Sequence, residues 1–90
     1  MLKHIQIVIT GAVQGVSFRY FAKQQADELG LTGFTENRPD GSVYIEIEGG
    51  EENLQKFLDW CRSGPNHAQV KDVIVEEGRP KGYAIFEIKN

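Results

Sequence analysis

The residues of this chain whose types and spacing could do chemistry sit in Gly11-Ala12-Val13-Gln14-Gly15-Val16-Ser17-Phe18-Arg19. An alternating apolar run ends at Thr10, two glycines bracket a short loop, and an arginine follows where a helical pattern begins. Glycine admits positive φ and lets a ligand approach the backbone closely. Successive N–H groups in such a loop converge on an oxyanion, and the start of a helix adds partial positive charge. Arg19 adds a guanidinium suited to a bidentate, charge-assisted contact. A unit charge pair at ~4 Å is worth about 4 kcal/mol at an effective dielectric of ~20, the largest single contribution in sight. The chemistry implied is that of a phosphate group. The plain alternative is a glycine turn into a helix with a solvated arginine. The loop lacks a following Lys-Ser/Thr and the G-x-G-x-x-G spacing, which disfavours nucleotide binding by those routes.

A second candidate is Asn37. It precedes the turn signal Pro39-Asp40-Gly41, where an Asn is commonly a turn residue. Its amide is neutral and both donates and accepts, so it can also hold a water in one orientation.

His4 to Thr10 alternates with Ile5, Ile7 and Ile9 on one face, which predicts a strand leading into the loop. Phe18, Ala22, Ala26 and Leu29 recur at helical spacing, with Phe21 alongside and Gly30 as C-cap. Leu31 to Asn37 and Val43 to Glu48 read as a hairpin with one apolar and one wet face. Glu51 and Glu52 suit the start of a second helix, whose stripe is Leu54, Phe57, Leu58 and Cys61. Ser63-Gly64-Pro65 stops it. Val70 to Val75 predicts a fourth strand with an irregularity at Lys71-Asp72, and Tyr83 to Ile88 a short last one after a Gly78 to Gly82 loop. The order is β-α-β-β-α-β plus a terminal strand. It predicts an α+β, ferredoxin-like two-layer sandwich with two helices on one face of a mostly antiparallel sheet. That fold hosts many functions, so the site must decide.

Ninety residues support one domain, expected to span 1–90. With 40% hydrophobic and 26% charged residues, disorder is not expected. A net charge of −3 argues against nucleic acid or an anionic membrane as the main partner, although Arg19 and Arg38 could make a local basic site. Apolar runs are too short for a transmembrane helix, and Met1-Leu2-Lys3-His4 shows no signal-peptide core. The single cysteine, Cys61, excludes an internal disulfide and a multi-cysteine metal site; a reducing cytoplasm and a monomer are the defaults.

Gly11-x-Val13-Gln14-Gly15-Val16-x-Phe18-Arg19 resembles the N-terminal signature of the acylphosphatases. Gly33-Phe34-x-x-Asn37-x-x-x-Gly41-x-Val43, then Gly49, is similar to the second signature. Both are in register on the same expected fold, and the resemblance spans essentially the whole chain. It implies hydrolysis of the mixed anhydride of a carboxylic acid and phosphate. The backbone of Val13, Gln14, Gly15, Val16, Ser17 and Phe18, with the Arg19 guanidinium, would hold the phosphoryl group. Asn37 would position the attacking water. The implied partner is a small acyl phosphate, and no metal or cofactor is implied.

Three positions depart from the family pattern. Thr35 and Glu36 stand where small apolar and non-acidic residues are usual. A carboxylate at ~8 Å would cost a dianionic substrate about 2 kcal/mol, less if exposed. Strand parity separates Glu36 from Asn37 but puts it with Phe34, a candidate core residue, so Glu36 must escape at the strand end or beside a bulge. Ser17 stands where glycine or an aromatic is common. Its hydroxyl could add a donor, but helix capping is the expected role.

Cys61 is expected to be a buried structural thiol, and Trp60 to pack at the edge of its stripe. His4 and His67 have no metal-ligand spacing and read as surface or strand residues. Glu46, Glu48, Glu51 and Glu52 read as a solvated sheet face plus a helix start. Three other functions were open. A non-catalytic ligand or regulatory module has no need of both Arg19 and Asn37. An RNA-binding module needs a stacking platform, and Tyr44 between Ser42 and Glu46 is a poor one. A domain of a larger carbamoyl-transfer protein is disfavoured by a chain that begins at Met1 and looks complete.

Overall fold

A computed structural model describes residues 2–90. The elements are β1 (Leu2–Ala12), α1 (Phe18–Glu28), β2 (Thr32–Asn37), β3 (Val43–Gly50), α2 (Glu51–Ser63), β4 (Gln69–Gly78) and β5 (Phe86–Lys89). They form one sheet in the order β4-β1-β3-β2-β5. β1 runs antiparallel to β3 and β4, and β2 antiparallel to β3, while β2 and β5 are parallel. This is the expected ferredoxin-like α+β fold. No helix among the described residues is long and apolar enough to cross a membrane.

Period-two patterning sends Ile5, Ile7 and Ile9 of β1 and Val43, Ile45 and Ile47 of β3 toward the helices. There they pack against Phe18, Ala22 and Ala26 of α1 and Leu54, Phe57, Leu58 and Cys61 of α2. Cys61 is fully buried, and burial pushes its thiol pKa well up, as expected of a structural residue. Trp60 packs at the edge of the stripe, 5.2 Å from the Phe18 ring. α1 ends in a Schellman turn: Leu31 N–H donates to Ala26 O at 2.8 Å and Gly30 N–H to Asp27 O at 3.2 Å. In β4 the pairing jumps from Thr10↔Asp72 to Gly11↔Val70, so Lys71 is the extra residue of the expected irregularity.

The other sheet face differs from the sequence reading. Glu46 and Glu48 are buried rather than solvated, and so is His4. His4 Nδ1 lies 2.7 Å from Glu48 Oε2, and Nε2 lies 3.0 Å from Glu46 Oε1. The segment between β4 and β5 folds over them. Tyr83 Oη and Lys81 Nζ donate to Glu46 Oε1 at 3.1 and 2.9 Å, and the Lys81 and Gly82 N–H groups donate to Glu48. Alternation shows that a face is polar but not what covers it, and this cover comes from residues over 30 positions away.

Phe34 and Glu36 share this same face, across from Glu46 and Tyr44. Phe34 packs not in the helix-side core but between Tyr44 and Tyr83, each 5.9 Å away between ring centroids. Glu36 therefore needs no bulge: it is half-buried on a face away from the helices. The last strand is shorter than expected, beginning at Phe86 rather than Tyr83.

Candidate active site

The loop between β1 and α1 is held at both ends by its own apolar side chains. Val13 and Phe18 are almost fully buried in the core. Between them Gly15 adopts φ 75°, with open space where a Cβ would stand. Ser17 adopts φ 59°, the one non-glycine residue at positive φ among the described residues. It occupies the N-cap position of α1, but its hydroxyl makes no capping hydrogen bond, so the expected cap is not formed. Capping residues normally have extended backbone angles, and the left-handed conformation forced by the loop turns the hydroxyl elsewhere. Among the described residues, no N–H group from Gln14 to Arg19 meets a backbone carbonyl with good geometry. The loop thus keeps a run of donors free.

Gln14 uses its side chain differently from its neighbours. Its amide donates to the carbonyls of Arg38 and Ser42, tying the loop to the β2–β3 turn. That turn is itself braced. Ser42 donates to Asp40 Oδ1 from both N–H and Oγ, at 2.9 and 2.6 Å, and these bonds hold the Asp40 carboxyl below its usual range. Arg38 N–H donates to Ser42 O at 2.9 Å.

Arg19 follows in the first turn of α1. Its Nη1 donates to Lys89 O at 2.6 Å at the end of β5. Nη1 also lies 3.4 Å from Asn90 Oδ1, so one side of the guanidinium is fixed, while Nε and Nη2 make no hydrogen bond among the described residues. Arg38 does not join it; its guanidinium lies 3.8 Å from the Tyr44 ring centroid, on the face away from the helices.

Asn37 is the last residue of β2, exposed, on the helix side of the sheet with Thr35. Val13, Gly15, Ser17, Phe18, Arg19 and Asn37 line one open cleft of about 360 Å³, together with Tyr20 and Ile88. The two residues singled out from separate parts of the sequence thus meet in space. Gln14 and Val16 of the same loop are not among the cleft-lining residues.

The acylphosphatase family model matches residues 5–88. This chain belongs to the acylphosphatase family. An acylphosphatase of Thermotoga maritima is 47% identical over 88 residues, covering 98% of each chain. The crystal structure of the acylphosphatase from Bacillus subtilis superposes with a TM-score of 0.94 at 41% identity, covering all of both chains. HypF of T. kodakarensis is also similar, with a TM-score of 0.86 at 31% identity. There the match covers 98% of this chain but 12% of HypF. Membership brings the family's activity, hydrolysis of acyl phosphates.

Three features of this cleft were not read from the sequence. They are the Gln14 amide brace, the Lys89 carbonyl on Arg19, and Tyr20 and Ile88 as cleft walls. A side-chain role for Gln14 had a signal, a long amide in a glycine loop. The Arg19–Lys89 contact spans 70 positions and had none.

Proposed function

We propose that the cleft hydrolyses acyl phosphates by holding the phosphoryl group in the residue 13–19 loop while Asn37 presents water. The observation that carries this is the convergence of Arg19, the loop and Asn37 on one cleft. The free loop N–H groups and the helix start meet the phosphoryl oxygens, and Arg19 supplies the full positive charge. The Asn37 carbonyl oxygen accepts a hydrogen bond from the water and its NH2 donates to a phosphoryl oxygen, so the water oxygen faces phosphorus. The water O–P bond forms as the bond from phosphorus to the acyl oxygen breaks. The carboxylate leaves with the electron pair, and the water proton passes to a phosphate oxygen.

This short residue list suffices because a carboxylate is already a good leaving group. Positioning and fixed electrostatics carry the rate, and charge builds on equatorial oxygens that face Arg19 and the loop. An aspartate at position 37 would repel the phosphate. A non-catalytic phosphate-binding module has no use for an exposed amide at the cleft. The phosphoryl charge is assigned to Arg19 and backbone donors rather than to a metal ion, and the protein is placed in the cytoplasm as a monomer.

The test is turnover of benzoyl phosphate with and without a chelator. Full activity in the chelator is expected. Activity that disappears and returns with added divalent cation would overturn the metal-independent mechanism.

A further inference from the structure

We propose that Tyr20 and Ile88 seat the acyl part of the substrate and favour a neutral, apolar, ring-sized acyl group. The proposal rests on the phosphoryl reading above and extends it to the half of the substrate that the phosphate loop leaves unrecognised.

The cleft divides by chemistry. Its loop residues and Arg19 face the phosphoryl group, and Asn37 faces the water. Tyr20 and Ile88 are the two lining residues left without a task, and both are large and apolar. Tyr20 is 54% exposed, so its aromatic side chain stays open to a ligand. It is held rather than loose: Phe21 meets it edge-on at 5.3 Å between centroids, and Gln24 Nε2 lies 3.4 Å from its hydroxyl. A ring already fixed at the rim loses little freedom when a ligand packs on it. Ile88 stands beside Thr35 in the parallel β2–β5 pair, on the strand face that carries Asn37 two residues further on.

The charges around the cleft argue the same way. Arg19 is the one charged residue lining it. The basic groups next to cleft residues in sequence are engaged elsewhere. Lys89 Nζ lies 4.1 Å from the Phe34 ring centroid and Arg38 covers Tyr44, both on the opposite sheet face. An acyl group with its own negative charge meets no second cation, whereas an aromatic or branched one meets a prepared apolar wall.

The test compares kcat/KM for benzoyl phosphate and acetyl phosphate in wild type, Tyr20→Ala and Tyr20→Phe, with the inhibition constant of inorganic phosphate measured alongside. Tyr20 is exposed, so its substitution leaves the core intact. Wild type is expected to prefer benzoyl phosphate. Tyr20→Ala should shrink that preference about three- to tenfold, as expected for loss of an aromatic pair, with phosphate inhibition moving less than about twofold. Tyr20→Phe should keep the preference. Equal losses on both substrates, or none on either, would overturn the acyl seat. Phosphate inhibition that is untouched by Arg19→Ala would instead overturn the phosphoryl reading beneath it.

Discussion

Gln14 joins the two halves of the site. Its side-chain amide donates to Arg38 O at 2.8 Å and to Ser42 O at 2.9 Å, so one residue ties the residue 13–19 loop to the hairpin that carries Asn37. The separation between the residue 13–19 loop and the Asn37 amide is therefore set by a side chain as well as by the sheet. Gln14→Ala should lower kcat about ten- to a hundredfold, the scale expected for a small misplacement of reacting groups. Phosphate affinity should change little, because the loop donors are backbone. Stability should fall by about 1–2 kcal/mol for two lost hydrogen bonds. Gln14→Glu should be worse than alanine, since a carboxylate would face two carbonyl oxygens. Steady-state kinetics with phosphate inhibition and urea unfolding check each part.

The His4–Glu46–Glu48 cluster predicts acid sensitivity. Burial pushes the Glu46 carboxyl up, but hydrogen bonds from Tyr44, Lys81 and Tyr83 outweigh it and bring it to about 2. Burial likewise pushes the Glu48 carboxyl up, but hydrogen bonds from Lys81, His4 and Gly82 outweigh it and leave the carboxyl below its usual value. A carboxyl depressed in the folded state contributes stability that is present above its unfolded value of 4.5 and lost as pH falls toward its folded one. Urea unfolding should show stability falling from about pH 5 toward pH 2. His4→Ala removes the buried partner of two carboxylates and should cost about 3 kcal/mol at pH 7. That deficit should shrink in acid as the carboxylates take up protons.

Glu36 should matter little to the substrate. It faces away from the helices, whereas Asn37 lies on the helix side of the same strand. Glu36→Gln should change KM for benzoyl phosphate by less than about twofold at low ionic strength. A larger drop in KM would mean that the carboxylate reaches the phosphoryl group through its field.

Ser17 should tolerate loss of its hydroxyl. No capping bond is made, so Ser17→Ala should cost under about 0.5 kcal/mol, against about 1 kcal/mol for a working cap. The backbone strain at φ 59° is common to both residues and cancels in the comparison. Thermal or urea unfolding measures the difference.

What was legible in the sequence was whatever local pattern controls. The Gly15 loop and Arg19 sit within nine residues, and period-two alternation placed Ile5, Ile7 and Ile9 on one face. The irregularity at Lys71 showed because it broke that alternation. What escaped was set by long-range cover. Parity put Phe34 and Glu36 together but could not say on which side of the sheet; Phe34 is buried, as expected of a core residue, on the side away from the helices. Glu46 and Glu48 read as solvated because nothing near them in sequence announces that residues 81–83 fold back over their carboxylates. Tyr20 carries no functional signal in its local sequence. Its place on the cleft depends on β5 returning beside β2 to bring Ile88 opposite.

The central claim is a division of labour, with Arg19 holding phosphate and Asn37 holding water. It is tested most directly by measuring kcat for benzoyl phosphate and the inhibition constant of inorganic phosphate in Arg19→Ala and Asn37→Ala. Arg19→Ala is expected to lose both turnover and phosphate affinity, while Asn37→Ala loses at least about a hundredfold in kcat and keeps phosphate affinity within about threefold. Undiminished turnover in either variant would contradict it.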